Sequence, residues 1–305
     1  MARLTTAGRL TTLTAVAILT AAAPSLAQDR DFSKVEIKTE KVTDSIYALF
    51  GAGGNIGVSV GSDGVFIIDD QYAPLSDKIL AAVRELSDKP IRFVINTHWH
   101  GDHTGGNENI GREGAAIVAH ENVRKRLLSP QTIPAFNRTF EAAPAGALPQ
   151  VTYVDGVTLH LNGEHARIAH LPNAHTDGDS FIHFTEANVV HTGDLFFNGF
   201  YPFIDAWSGG SIDGVIAAVD VILGIANDKT KIIPGHGPLA TRTDLVAYRD
   251  MLQRVNDLVT QGIADGKSAE ELVKSGAFTD IETTWADGFL NTEKFISIVY
   301  EGKRS

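Results

Sequence analysis

The chain has 305 residues, 43% of them hydrophobic and 21% charged, with a formal charge of −11. That is the composition of a folded globular protein long enough for one large domain, and its acidity disfavours nucleic acid and anionic membranes as partners. There is no cysteine, so disulfides and thiolate ligands are excluded and any metal must be held by His, Asp or Glu.

Residues 1–27 read as a cleavable secretory leader. Arg3 and Arg9 form a basic start, Leu10 to Ala23 is apolar and rich in small residues, Pro24 breaks it, and Ser25-Leu26-Ala27 fits a cleavage site. The apolar run is too short to span a bilayer, which takes about 20 residues. The expectation is a periplasmic or secreted protein without a membrane span. Its mature form begins near Gln28 and is one domain over 28–305.

From Val35 the chain reads as strands: Val35–Thr39, Ser45–Phe50, Ile56–Gly61 and Val65–Asp69, with the glycines of 51–57 allowing tight turns. Ile79, Leu80, Val83 and Leu86 recur at helical spacing, and Pro90 stops that helix. Ile91 to Asn96 is apolar and β-branched enough for a buried strand. It delivers Thr97-His98-Trp99-His100-Gly101-Asp102-His103, four metal-ligand types within six residues, on the loop leaving a strand. Spacing i, i+2 lets His98 and His100 reach one ion from extended backbone, while Asp102 and His103 suit a second. Imidazole and carboxylate favour borderline divalent metals, zinc first.

A strand at Ala115–Ala119 and a helix at Glu121–Leu128 follow. Residues 129–150 hold four prolines and read as irregular, either a flap on the substrate side or a solvated crossover. A second run of strands covers Val157–Leu161, Ala166–Leu171, Ser180–Phe184 and Val189–Thr192. Then come a helix at Ile212–Ala226, a short strand at Lys231–Ile233, a long helix at Thr243–Ala264, and terminal helices at Ser268–Lys274 and Thr292–Tyr300. Two sheets packed face to face with helices outside satisfy this order. Three further ligand types stand at strand ends among small or turn residues: His175, Asp194 and His236. Gly193, Gly235 and Gly237 permit close backbone approach there.

These residues resemble the metallo-β-lactamase-fold hydrolases over roughly residues 40–240. The signature H-x-H-x-D-H stands intact as His98, His100, Asp102 and His103, and the later ligand segments follow in the same order. The resemblance implies an α/β (α+β) fold, a four-layer αββα sandwich with the site at one edge. It implies two zinc ions per chain. His98, His100 and His175 would hold the first; Asp102, His103 and His236 the second; Asp194 would bridge them. It implies a metal-bound hydroxide attacking a carbonyl, with Asp102 helping to orient it. Asp194 departs from the β-lactamase subclass that carries Cys there and Lys three positions later, where this chain has Phe197. A bridging Asp is closer to glyoxalase II and related branches. The iron-containing redox branch carries Glu where His100 stands.

Phe196, Phe197, Asn198, Phe200, Tyr201 and Phe203 follow Asp194, and such a cluster either lines an apolar pocket or packs the loop. Trp99, Phe197, Asn198 and Tyr201 are the candidate pocket residues, with Asn198 a candidate for polarising a carbonyl. Asp69 is the favoured partner for a ligand histidine; His170 and His191 are weaker ones. His120, His160, His165 and His183 read as surface or core residues. The expected function is an exported zinc hydrolase of a small-molecule substrate, a β-lactam first, as in antibiotic resistance. A lactone, thioester or sulfate ester is the alternative substrate. The alternative of another class is a non-catalytic periplasmic metal-binding accessory protein; loss of ligands would mark it, and all seven are present.

Overall fold

Strand alternation sets the architecture. In the computed structural model, which describes residues 31–304, Val65 and Ile67 face one way and Phe66 and Ile68 the other. The same split divides Val94 from Ile95, Ile117 from Val118, Phe181 from Ile182 and Val189 from Val190. Each such strand therefore buries both faces, which is why these segments read as continuous apolar runs rather than polar–apolar alternation. The leader expected over residues 1–27 lies outside the described residues.

Two sheets result. The first has seven strands in the order Lys38–Lys41, Ile46–Phe50, Ile56–Gly61, Gly64–Ile68, Ile91–Ile95, Ala116–His120 and Val151–Tyr153. It is antiparallel as far as Gly64–Ile68 and parallel from there on. The second has five: Gly156–Leu161, Glu164–His170, Ser180–Phe184 and Val189–His191 run antiparallel, and Lys231–Ile233 joins parallel to the last.

The inner layer joins the two sheets. Ile46, Phe66, Ile68, Ile95 and Val118 from the first meet Ile168, Ile182, Phe184, Val189 and Ile233 from the second. Phe66 and Phe184 stack across the gap at 5.8 Å. Each fully buried side chain of this kind contributes roughly 1.5–3 kcal/mol relative to exposure. Helix Ser76–Leu86 covers the outer face of the first sheet through Ile79, Leu80 and Val83. Helices Ile212–Ile225 and Arg242–Ala264 cover the second through Val215, Val219, Leu252 and Val255. The long helix starts at a reciprocal cap, Thr241 accepting from the Asp244 backbone and Asp244 accepting from that of Thr241. The fold is thus the expected four-layer αββα sandwich.

Several segments differ from the sequence reading, among them a strand at Val151–Tyr153 and a helix at Asn107–Arg112. Residues 129–150 are not wholly irregular: Gln131–Ile133 and Arg138–Phe140 form a small antiparallel hairpin. Helix Thr279–Trp285 was not expected, because it buries only Ile281 and Trp285, too few positions to show a period. No helix among the described residues is long and apolar enough to cross a membrane.

Candidate metal centre

The site forms where parallel strands end. Ile91–Ile95 leads into Thr97–Thr104, Val189–His191 into Asp194, and Lys231–Ile233 into His236; the loop between Glu164–His170 and Ser180–Phe184 brings His175. Carboxyl ends of parallel strands splay their loops around one crevice, the usual position of sites in such sheets. Backbone bonds tie the loops together: Ser180 donates to the Thr97 carbonyl, Gly235 to that of Gly193, and Asn55 to that of Gly235.

All seven expected ligand side chains converge, in two groups. His98, His100, His175 and Asp194 form one, and Asp102, His103 and His236 the other; within each, one ligand atom per residue lies within 4.8 Å of the rest. His100 Nδ1 is 3.1 Å from His98 Nε2 and 2.8 Å from His175 Nε2. His103 Nε2 and His236 Nε2 are 3.3 Å apart. Asp194 faces both groups with different oxygens. Oδ2 is 3.7 Å from His98 Nε2 and 3.4 Å from His175 Nε2; Oδ1 is 3.1 Å from His103 Nε2 and 3.3 Å from His236 Nε2. Asp102 Oδ2 lies 3.5 Å from His236 Nε2.

The far nitrogen of four rings is held in place, which fixes the near one. His103 Nδ1 donates to Asp69 Oδ2 at 2.7 Å, and His100 Nε2 to Asp205 Oδ2 at 3.1 Å. His175 Nδ1 donates to the Phe203 carbonyl at 2.7 Å. His98 Nδ1 donates to Thr97 Oγ1, which itself donates to Asp69 Oδ2. Each arrangement leaves the other nitrogen's lone pair pointing into shared space. Acceptors therefore face acceptors, and the buried Asp194 Oδ1 has no hydrogen-bond donor. Buried acceptors without donors are costly, and a divalent cation between them removes the conflict. The donor set, imidazole and carboxylate, fits zinc or a similar metal.

Electrostatics separate the two groups. Burial holds His98 well below the usual imidazole range, with the neighbouring His103 adding to it. His175 is lowered to about 4 by burial. Burial acts the same way on His103 and His236, but the carboxylates outweigh it and both rise: Asp194, Asp69 and Asp102 act on His103, Asp194 and Asp102 on His236. Burial alone would raise Asp194; the surrounding imidazoles hold it well below the usual carboxylate range.

Close packing depends on two glycines. A Cβ at Gly54 would stand 2.1 Å from His103 Cε1, and one at Gly235 only 2.2 Å from Asp194 Oδ1. The 51–55 turn, which joins two antiparallel strands, thus also borders the site. Asp69 adopts a left-handed φ of 62°, a conformation uncommon outside glycine and asparagine. Bonds from Thr97 N, Thr97 Oγ1 and His103 Nδ1 converge on its carboxylate and hold it there.

The pocket residues need correction. Tyr201 is fully buried, stacked on Phe295 at 4.6 Å with its hydroxyl toward Thr292, so it faces the core and lines no cleft. Phe197 is also buried and lies against His236, rings 4.9 Å apart and 21° from parallel. The Asn198 amide donates to the Pro238 carbonyl, which ties down the turn after His236 and leaves it uncommitted to any carbonyl in the site. Trp99 is buried edge-on to His100 and lines a cavity of about 280 Å³ with Gly101, Leu127, Phe140 and Pro144. His191 bonds the Asn55 carbonyl and accepts from Gly193 N, and His170 bonds the Asp179 carbonyl; these bonds go to backbone and not to a ligand ring. Sequence reading missed Asp205 and the Phe203 carbonyl. The signal for Asp205 was chemical: His100 needed an acceptor for its second nitrogen, and no motif marks which one serves.

Comparison with known proteins agrees with this geometry. The family model described as the metallo-beta-lactamase superfamily matches residues 51–244. The hydroxyacylglutathione hydrolase of Rhodospirillum rubrum is 30% identical over 125 residues, 41% of this chain and 41% of that protein. The chain spans about two fifths of the length of the first curated relatives it matches. A metallo-beta-lactamase from Pontibacter korlensis superposes with a TM-score of 0.58 at 16% identity, covering 72% of this chain and 99% of that one. A double mutant of the sec-alkyl sulfatase PisA1 superposes with 0.64 at 16% identity, covering 87% and 50%. At such identities these structures speak for the fold alone.

Proposed function

The chain belongs to the metallo-beta-lactamase superfamily, and on that premise we propose that it is an exported hydrolase using two zinc ions, with a β-lactam ring as the leading substrate. The observation that carries the dinuclear reading is Asp194, which presents one oxygen to each group of histidines. His98, His100 and His175 would hold one ion and Asp102, His103 and His236 the other. When bound, the pair supplies a deprotonated water at neutral pH and a Lewis acid for the scissile carbonyl. Asp102 is the more exposed of the two ligand carboxylates and sits beside His236, where it would help to orient the nucleophile. Asp69 and Asp205 fix the rings of His103 and His100.

Export supports the β-lactam reading, since it puts the enzyme where such compounds are met. The leader is expected over 1–27 and the catalytic domain over 28–305. Asp194 favours a second reading, hydrolysis of a thioester, lactone or sulfate ester. The relative named hydroxyacylglutathione hydrolase and the structural neighbour named sec-alkyl sulfatase belong beside that reading.

The test is hydrolysis of a chromogenic cephalosporin by purified protein, zinc-loaded and then chelated. Fast turnover that disappears with the metal supports a β-lactamase. No turnover by protein that retains two zinc ions removes the β-lactam reading and moves the assay to thioesters, lactones and sulfate esters. Protein that binds two zinc ions and hydrolyses none of these favours the accessory role.

A further inference from the structure

Two exposed phenylalanines flank the converging side chains, and each reaches them through one buried ring. Phe136, in the turn of the small hairpin, is 42% exposed and lies 4.8 Å from Phe203. Phe203 is buried, 5.8 Å from His100 and 5.9 Å from His175. Phe289 is 57% exposed and lies 6.3 Å from Phe197, the ring stacked on His236. Phe200 packs on the same ring at 5.8 Å, and Gly288 closes against Phe200 so tightly that a Cβ there would stand 2.7 Å away. The loop carrying Phe289 is therefore seated on the aromatic layer beside His236.

A single exposed apolar side chain is ordinary. Here two exposed rings stand one layer away from opposite halves of one reaction centre, Phe136 beside the His100–His175 group and Phe289 beside His236. Both come from segments outside the ligand loops, and both are carried on buried aromatic neighbours that fix their position. Rigid rings offer wide apolar contact at small entropic cost, and suit alkyl or aryl groups.

We infer that Phe136 and Phe289 bracket the centre and hold apolar substituents on both sides of the scissile bond, one on the acyl portion and one on the leaving group. The inference rests on the hydrolase reading and narrows its substrate to a compound with alkyl or aryl groups at both ends. Phe136 and Phe289 would be specificity-determining residues; the ligands would do the chemistry whichever substrate enters.

The test uses zinc-loaded protein and hydroxamates, which anchor on metal without being hydrolysed. Calorimetry compares acetohydroxamate with octanohydroxamate. Each methylene fully moved out of water tightens binding by about fourfold, so partial contact along the chain should give the long ligand at least a tenfold advantage. Phe136→Ser and Phe289→Ser should each reduce that advantage at least threefold, and together abolish most of it. Zinc content and acetohydroxamate affinity should stay unchanged, which a misfolded variant would not preserve. Equal affinity for both ligands in the unaltered protein, or a preference that survives the double substitution, overturns the bracket. Failure to bind any hydroxamate overturns the bracket, and the zinc content measured beside it decides separately whether the dinuclear site stands. Hydrolysis of 4-nitrophenyl acetate and 4-nitrophenyl octanoate with equal kcat/KM keeps the hydrolase and sinks the bracket. Tight, ring-dependent octanohydroxamate binding without turnover of any β-lactam, thioester, lactone, carboxylic ester or sulfate ester keeps the bracket and sinks the hydrolase.

Discussion

Two histidine clusters among the described residues, the metal centre and the His120–His170 pair, in which His120 is buried and His170 half-buried, use the same side chain in opposite ways. In the candidate metal centre the rings meet edge to edge, with nitrogens of His98, His100 and His175 2.8–3.1 Å apart. Away from it, His120 and His170 stack face to face, centroids 3.7 Å apart and planes 9° from parallel. There the nitrogens point outward into the backbone: His120 Nδ1 accepts from Asn122 N and caps a helix, while His170 Nδ1 bonds the Asp179 carbonyl. Burial alone therefore does not make a histidine a ligand. What matters is whether its free lone pair is aimed at other lone pairs.

The sharpest way to break this contrast is to remove the residue both histidine groups share. Asp194→Ala should leave less than one metal per chain and lower turnover by about 10³-fold or more. Asp102→Ala and His236→Ala should empty only the second position and also lower turnover strongly. Metal analysis beside steady-state rates checks all three, and full activity with one zinc in either of the latter would overturn the dinuclear mechanism. His170→Ala, in the other cluster, should leave the metal content at the unaltered value.

A smaller effect is expected from the carboxylates behind the rings. Asp69→Asn suits the left-handed backbone at that position but removes the charge that His103 and Thr97 bond. Loss of such a partner typically weakens metal affinity about 10- to 100-fold. Asp205→Asn should do the same through His100, with the loss read at the other metal. Competition with a chromophoric chelator measures each. Affinities within twofold of the unaltered protein would mean that ring orientation is set by packing alone. Asn55→Ala comes next. Its amide donates to the Pro234 and Gly237 carbonyls on either side of His236, so removing it strands two acceptors and should cost about 1–3 kcal/mol of stability. Chemical denaturation reads that cost, together with weaker binding of the second metal.

How far these clusters could be told apart in the sequence depends on locality. His98, His100, Asp102 and His103 were legible because four ligand types crowd one strand-end loop. His175, Asp194 and His236 come singly from separate loops; their strand-end placement among small or turn residues marked them as candidates, and the resemblance assigned each to a metal. The sandwich was legible because buried strands of Val and Ile need cover on both faces. Phe196 to Phe203 was misread at Phe197 and Tyr201 because no regular period governs that segment: its buried and half-buried rings are placed by contacts with Phe295, His236 and the 286–291 loop, far away in sequence. The final strand of the first sheet was hidden for the same reason. Val151–Tyr153 pairs with Ala116–His120 only after the hairpin region has crossed over.

The least effect, and the cleanest test of the contrast, concerns pH. Burial, helped by the neighbouring His170, holds His120 at about 4, below the ordinary value of 6.5. Above pH 6.5 the ring is neutral in folded and unfolded chains, and it adds no pH dependence. As pH falls from 6.5 toward 4 the unfolded chain takes up a proton that the folded one refuses, so stability is lost in that window. Discounted for solvent screening of the ring, the loss should be about 1–2 kcal/mol. His120→Asn isolates it, because asparagine keeps an oxygen to cap Asn122 N and cannot titrate. Lost stacking on His170 shifts the variant's stability by a constant; the metal centre's own pH dependence is common to both proteins. Denaturant unfolding at pH 7 and pH 4.5 should therefore show the unaltered protein losing about 1 kcal/mol more than the variant. Equal losses would mean that His120 takes up its proton as freely as a solvated histidine, and that its refusal of charge does not distinguish it from the surface.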